Sequence, residues 1–151
     1  MEVKIKEKKR AICFDIKTTW LAISRMYNVP SQLEGITTNI GFVLLHIDDK
    51  IGTPATKIAP MMGMEPRSLT RMLAKLEERD YIYREPDKFD KRKVQIFLTP
   101  LGLKKKNRAK EVVIGFNKKL YNDFSEEDLD IFFHVLDSIH KILNTYDHAS
   151  S

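Results

Sequence analysis

Residues 66–102 read "PRSLTRMLAKLEERDYIYREPDKFDKRKVQIFLTPLG". Two periodicities share this stretch, with a dense charge cluster between them. Leu69, Met72, Leu73 and Leu76 recur at helical spacing, which leaves Arg67, Ser68, Thr70, Arg71 and Lys75 on the opposite side. That pattern predicts an amphipathic helix, and Pro66 suits its first turn, where the missing N–H would have had no intrahelical partner. Further on, Val94, Ile96 and Leu98 alternate with Gln95, Phe97 and Thr99, the period of a strand. Residues 81–84, "YIYR", form the matching β-rich run.

Between the strands lies "DKFDKRK", residues 87–93: four bases and two acids in seven residues. A solvated hairpin tip needs only Gly or Asn, so this tip is suited to a negative partner. Working back toward the N-terminus, Thr53 is a good N-cap and Pro54 fits a first turn. A short helix is expected to start there and to end at Gly63. Residues 53–79 thus have the layout of a helix-turn-helix. The first turns of its second helix fit a major groove roughly 12 Å wide. Arg67 and Arg71 lie one turn apart, and each guanidinium can fork onto guanine O6 and N7. Ser68 and Thr70 have the length to reach a base edge or a phosphate. Alone, this helix reads equally well as a solvated face.

The hairpin tips the balance, because a hairpin directly after such a helix makes a wing. Lys88, Lys91, Arg92 and Lys93 can be carried into the narrower minor groove, where the negative potential is strong. Asp87 and Asp90 would repel phosphate, unless Asp90 or Asp87 pairs with the Arg92 guanidinium and holds the turn in shape.

Farther out, Ile12, Ile16, Trp20, Ile23 and Tyr27 form one helical stripe in residues 9–28, broken by Pro30 and Gly35. Thr38 or Asn39 can cap a second helix, whose stripe is Ile40, Val43, Leu44 and Ile47. Thr99 can cap a long helix opening at Pro100 and running to Phe124, about 37 Å. Its stripe passes through Leu101, Ala109, Val112, Val113, Phe116 and Leu120. Ser125 and Asp128 make a capping box for a last helix, which carries Leu129, Phe132, Phe133, Leu136, Ile139 and Leu143. The expected fold is mainly α, in the order α-α-α-α-β-β-α-α. One short recognition helix and one wing give few base contacts, so two copies on two half-sites are expected, with the terminal helices covering each other's apolar faces.

Composition bounds the function classes. The 151 residues suffice for one domain with a sizeable core; 42% are hydrophobic and 31% charged, with a formal charge of +5 that permits a nucleic-acid partner. No apolar run is long enough for a membrane span, and the basic start "MEVKIKEKKR" is followed by no signal-peptide core. The single cysteine, Cys13, cannot form an internal disulfide, which agrees with a cytoplasmic location. There is no Gly-rich phosphate loop, no C-x-x-C and no H-E-x-x-H. His134 and His140 are six apart, not the three or four that put two ligands on one helix face. No enzyme, cofactor or metal site is expected.

The motifs "RSLTR", "LEERDYI", "DKFDKR" and "LTPLG" together resemble the MarR family of winged helix-turn-helix regulators, in element order over most of the chain and in motif over residues 66–102. One departure is Asp80, which stands where the family pattern has Gly. The resemblance implies a single MarR-like chain over residues 1–151. Its winged helix-turn-helix lobe (α-α-α-β-β) would span residues 36–99, flanked by dimerisation helices at 1–30 and 100–148. It implies a homodimer on a two-fold-symmetric DNA operator, with Arg92 as the wing arginine and Asp90 as its partner. The implied function is a transcriptional regulator, expected to be a repressor. A small aromatic or amphipathic effector would bind near Trp20, Phe42, His46 and Phe116. "ICFDIKTTW" also resembles the cysteine context of the organic-hydroperoxide-sensing branch, which makes Cys13 a redox candidate, against the plainer reading of a small buried residue. The competing function is a winged-helix protein-interaction module that does not bind DNA.

Overall fold

The computed structural model describes residues 10–29 and 35–149, with side chains as far as residue 146. The Pro30 break, and residue 9 at the start of the first stripe, lie outside the described residues. The chain forms two compact units, residues 1–112 and 113–151, and the division falls inside the long helix. The first unit contains α1 (Ile12–Tyr27), α2 (Thr38–Leu45), β1 (Thr53–Pro54), α3 (Ala55–Met61), α4 (Pro66–Glu78), β2 (Ile82–Pro86) and β3 (Val94–Leu98). Helix α5 (Pro100–Asp123) begins there and ends in the second unit, which also holds α6 (Glu126–Ala149).

The three strands form an antiparallel sheet in the order β1-β3-β2. Ile82 lies opposite Leu98, Arg84 opposite Ile96 and Pro86 opposite Val94. β2 therefore starts and ends later than the sequence suggests. The short strand β1 was not expected. Thr53 pairs with Ile96 and Pro54 with Gln95, so Thr53 is not a helix cap and α3 begins only at Ala55. The Thr53 hydroxyl instead accepts from the Asp48 N–H (2.9 Å) and donates to the His46 carbonyl (3.1 Å), bracing the turn that leads into the sheet.

The core gathers Val43, Leu44 and Ile47 from α2 and just beyond it, Ile58 from α3, Leu69, Leu73 and Leu76 from α4, and Ile82 and Ile96 from the sheet, all buried. Each such side chain stabilises the fold by about 1.5–3 kcal/mol relative to exposure. The cap of α2 is Thr37, one residue earlier than expected, with its hydroxyl accepting from the Ile40 N–H at 3.3 Å. Thr38 turns inward; its N–H and hydroxyl both donate to Asn28 Oδ1 (2.7 and 2.8 Å), which ties α2 to the end of α1. Of the first stripe only Tyr27 is buried, while Ile12, Ile16 and Trp20 stay exposed.

The joint between α4 and β2 fixes where the wing leaves the body. Asp80 has φ +57, the one non-glycine residue with positive φ among those described. Left-handed backbone normally costs an L-residue about 1–2 kcal/mol, and Asp tolerates it better than most. Neighbouring bonds hold it there. The Thr99 hydroxyl donates to the Asp80 carbonyl, and the Thr99 N–H donates to the Tyr81 carbonyl at 3.1 Å. The same hydroxyl accepts from the Gly102 N–H at 2.9 Å, so Thr99 caps α5 and latches the joint together. In the second unit, the Ser125 hydroxyl accepts from the Asp128 N–H (3.1 Å) and donates to its carboxylate (2.7 Å), completing the capping box of α6.

Candidate nucleic-acid interface

Two cationic elements of the first unit carry the site. On α4, burial of Leu69, Leu73 and Leu76 turns Arg67, Ser68, Thr70, Arg71 and Lys75 to solvent, and all five are exposed. The helix has Glu65 as N-cap and Pro66 in its first turn, with no side-chain cap. Pro66 has no N–H to satisfy, and the Ser68 and Leu69 N–H groups both donate to the Glu65 carbonyl (3.0 and 3.1 Å), which closes the first turn. The Thr70 hydroxyl donates back to the Pro66 carbonyl at 2.9 Å, so its proton is engaged within the helix and its oxygen remains an acceptor. At the far end, Arg84 of β2 forms an ion pair with Glu77 of α4 at 3.1 Å, linking helix and wing.

The wing tip is closed by its two acids. The Asp87 carboxylate accepts from the backbone N–H groups of Phe89 (2.8 Å) and Asp90 (3.0 Å), and these bonds hold its pKa below the ordinary carboxylate value. Asp90 accepts from the Arg92 backbone N–H (3.1 Å) and from Arg92 Nε (3.4 Å). Of the two acids, Asp90 is the one that pairs with the arginine. Main-chain bonds from Asp87 N–H to Lys93 O (2.9 Å) and from Lys93 N–H to Asp90 O (2.8 Å) complete the turn. Both carboxylates are thus engaged in the turn, while Lys88, Lys91, Arg92 and Lys93 project into solvent, Arg92 with 93% of its side chain exposed. Under the strands, Tyr83 and Phe97 stack at 5.3 Å.

The run "KKKNRAK", residues 104–110, divides. Lys106 is not a surface cation: its side chain is only 12% exposed, and its ammonium donates to the Ile47 carbonyl and the Asp49 carboxylate. Arg108 pairs with Glu111 at 3.1 Å. Lys104 and Lys110 are exposed. Sequence reasoning missed the tie to Asp49, because its partner lies 57 residues away and no local spacing announces it.

Three of the four effector candidates share the first unit. Trp20 and Phe42 have ring centroids 5.8 Å apart, and His46 Nδ1 lies 2.7 Å from the Phe42 carbonyl. Phe116 belongs to the second unit. Cys13 is exposed in the first turn of α1, which corrects the reading of it as a small buried residue. Among the described residues no cluster of His, Cys, Asp and Glu is arranged to hold a metal ion, and no helix is long and apolar enough to cross a membrane.

Comparison with known proteins matches residues 36–94 to the MarR family. The HTH-type transcriptional regulator SarZ of Staphylococcus haemolyticus is 24% identical over 152 aligned residues, covering 99% of each chain. SarZ of Staphylococcus epidermidis is 26% identical over 116 residues, covering 77% of this chain and 76% of the relative. Among solved structures, the S. aureus MepR–DNA complex superposes with a TM-score of 0.80 at 20% identity, covering 89% of this chain and 99% of that one. The repressor CouR, bound to a 23-mer DNA duplex, gives 0.73 at 24% identity, with 93% and 99% covered. The fold is that of winged-helix MarR regulators.

Proposed function

We propose that this chain, whose residues 36–94 match the MarR family, acts as a homodimeric, sequence-specific repressor on double-stranded DNA, working in the cytoplasm. The observation that carries this reading is the exposure of two cationic elements on one compact unit, the α4 face and the wing tip. In the proposed mode, Arg67 and Arg71 read base edges in the major groove, with Ser68 and Thr70 beside them. Lys75 and the wing lysines neutralise phosphates, and Arg92 enters the minor groove. Asp87 and Asp90 fix the wing before it meets DNA, so little ordering cost remains on binding. The duplexes held by MepR and CouR support the same partner for this chain.

Pairing of two copies is supported by what a single chain leaves uncovered. On α1, Ile12, Phe14 and Trp20 are exposed; on α6, Phe132, Phe133 and Leu143 are exposed. Exposed large apolar side chains gathered on one helix mark contact surfaces. Release by a small aromatic or amphipathic ligand belongs to the proposal too, supported by the Trp20–Phe42 ring pair with His46 alongside. Such a ligand is expected to displace bound duplex.

The test is selection of bound fragments from a pool of random duplexes. The expected product is an inverted repeat whose half-site centres lie roughly 10–10.5 base pairs, or a multiple, apart. Enrichment of unpaired single sites would count against the dimer, and no enrichment would count against sequence-specific binding.

A further inference from the structure

We propose that Phe89, at the apex of the wing, is an apolar wedge that enters the minor groove and reads the flexibility of the base step it meets. This deepens the DNA-binding reading above and rests on it. Phe89 is 99% exposed, more than any other large apolar side chain among the described residues. The other wing aromatics, Tyr83 and Phe97, stack on each other. Its position is fixed, because the Phe89 N–H donates to the Asp87 carboxylate at 2.8 Å within a turn closed by the bonds described above. The ring is therefore presented on a braced tip.

The surroundings decide the occupant. Lys88 precedes the ring and Lys91, Arg92 and Lys93 follow it, all exposed, while the Asp87 and Asp90 carboxylates accept bonds within the turn. Cations on both sides would draw in the two phosphate strands that border a minor groove, and the ring between them would face sugar C–H groups and the edges of base pairs. Apolar side chains placed there partly unstack a base step. Pyrimidine–purine steps (TA, CA/TG) open most readily, so the ring would favour them without any hydrogen bond to a base. Selectivity would thus arise at a position outside the half-site read by α4.

The experiment runs parallel selections from one random duplex pool with the parent chain, Phe89→Ala and Phe89→Lys. It then titrates all three against the duplex that the parent selects. The parent is expected to enrich its half-sites together with a pyrimidine–purine step at the wing position. Both variants are expected to keep the half-sites and lose the step. Phe89→Ala should also bind the parent's duplex about 10-fold more weakly, an estimate scaled to the cost of a single mismatched position. Because the ring touches so little of its own chain, thermal melting should be unchanged. Retention of the step by either variant, or equal affinity of Phe89→Ala and the parent, would overturn the wedge while leaving DNA binding intact, and would leave the ring for a protein partner. A parent that enriches nothing would remove the wedge and the DNA reading together.

Discussion

Gly102→Ala is expected to unfold the wing-proximal joint and to destabilise the whole chain by about 3 kcal/mol or more, at the upper end of overpacking costs. A Cβ built on Gly102 would stand 1.8 Å from the Tyr81 carbonyl oxygen and 2.7 Å from its carbon. Both are backbone atoms, so no rotamer can relieve the clash. The backbone itself cannot retreat cheaply, since the Tyr81 carbonyl accepts from the Thr99 N–H and the Thr99 hydroxyl caps Gly102. At this chain length the loss corresponds to a melting temperature lower by roughly 6–12 °C, read by calorimetry. Gly115, on the same helix, is the control. Nothing lies within 4 Å of its added Cβ. Gly115→Ala should therefore stabilise the chain by about 0.5–1 kcal/mol through helix propensity alone. Equal behaviour of the two variants would refute the proposed close packing of α5 on the joint.

Arg92→Ala is expected to weaken binding to every duplex by about 100-fold or more, with no change in melting temperature. The side chain is 93% exposed and pairs with Asp90 at the solvent-facing turn, so little folding energy depends on it. Its loss falls on both wings of a dimer, and a hydrogen bond to a charged group contributes about 1.5–3 kcal/mol. The contrast lies with α4. Arg67→Ala or Arg71→Ala should cost roughly 1–3 kcal/mol and relax preference at one base pair per half-site, rather than weakening all sequences alike. Fluorescence anisotropy against selected and scrambled duplexes separates the two patterns. If Arg92→Ala binds as the parent does, the wing does not dock.

The elements around residues 66–102 were legible because their signals are local. The α4 stripe, the β3 strand and the Thr99 cap each depend on spacings within a few residues, and the structure has all three; of the β3 alternation, however, only Ile96 is buried, and Val94 is exposed. Asp80 stands out in the sequence as a departure from the family's Gly, and the structure turns the backbone left-handed there. What escaped depends on distant partners. β1 is two residues long, too short for alternation to register, and it exists because β3 offers a free edge. Thr53 has the chemistry of a cap, but its hydroxyl is taken by residues 46 and 48. Lys106 stands in a run of cations, and nothing local in sequence announces that Asp49 folds against it. The α1 stripe shows a different limit: periodicity reports that a face is apolar, not what covers it, and within one chain Ile12 stays exposed and Trp20 is covered only in part.

Two copies, each laying a cationic helix and a cationic wing on one duplex, must displace counterions from the phosphates they touch. Titrating the chain against its selected duplex at several salt concentrations measures that directly. About six to ten phosphate contacts per dimer predict that log affinity falls against log salt with a slope of roughly −5 to −9. A flat response would contradict the account.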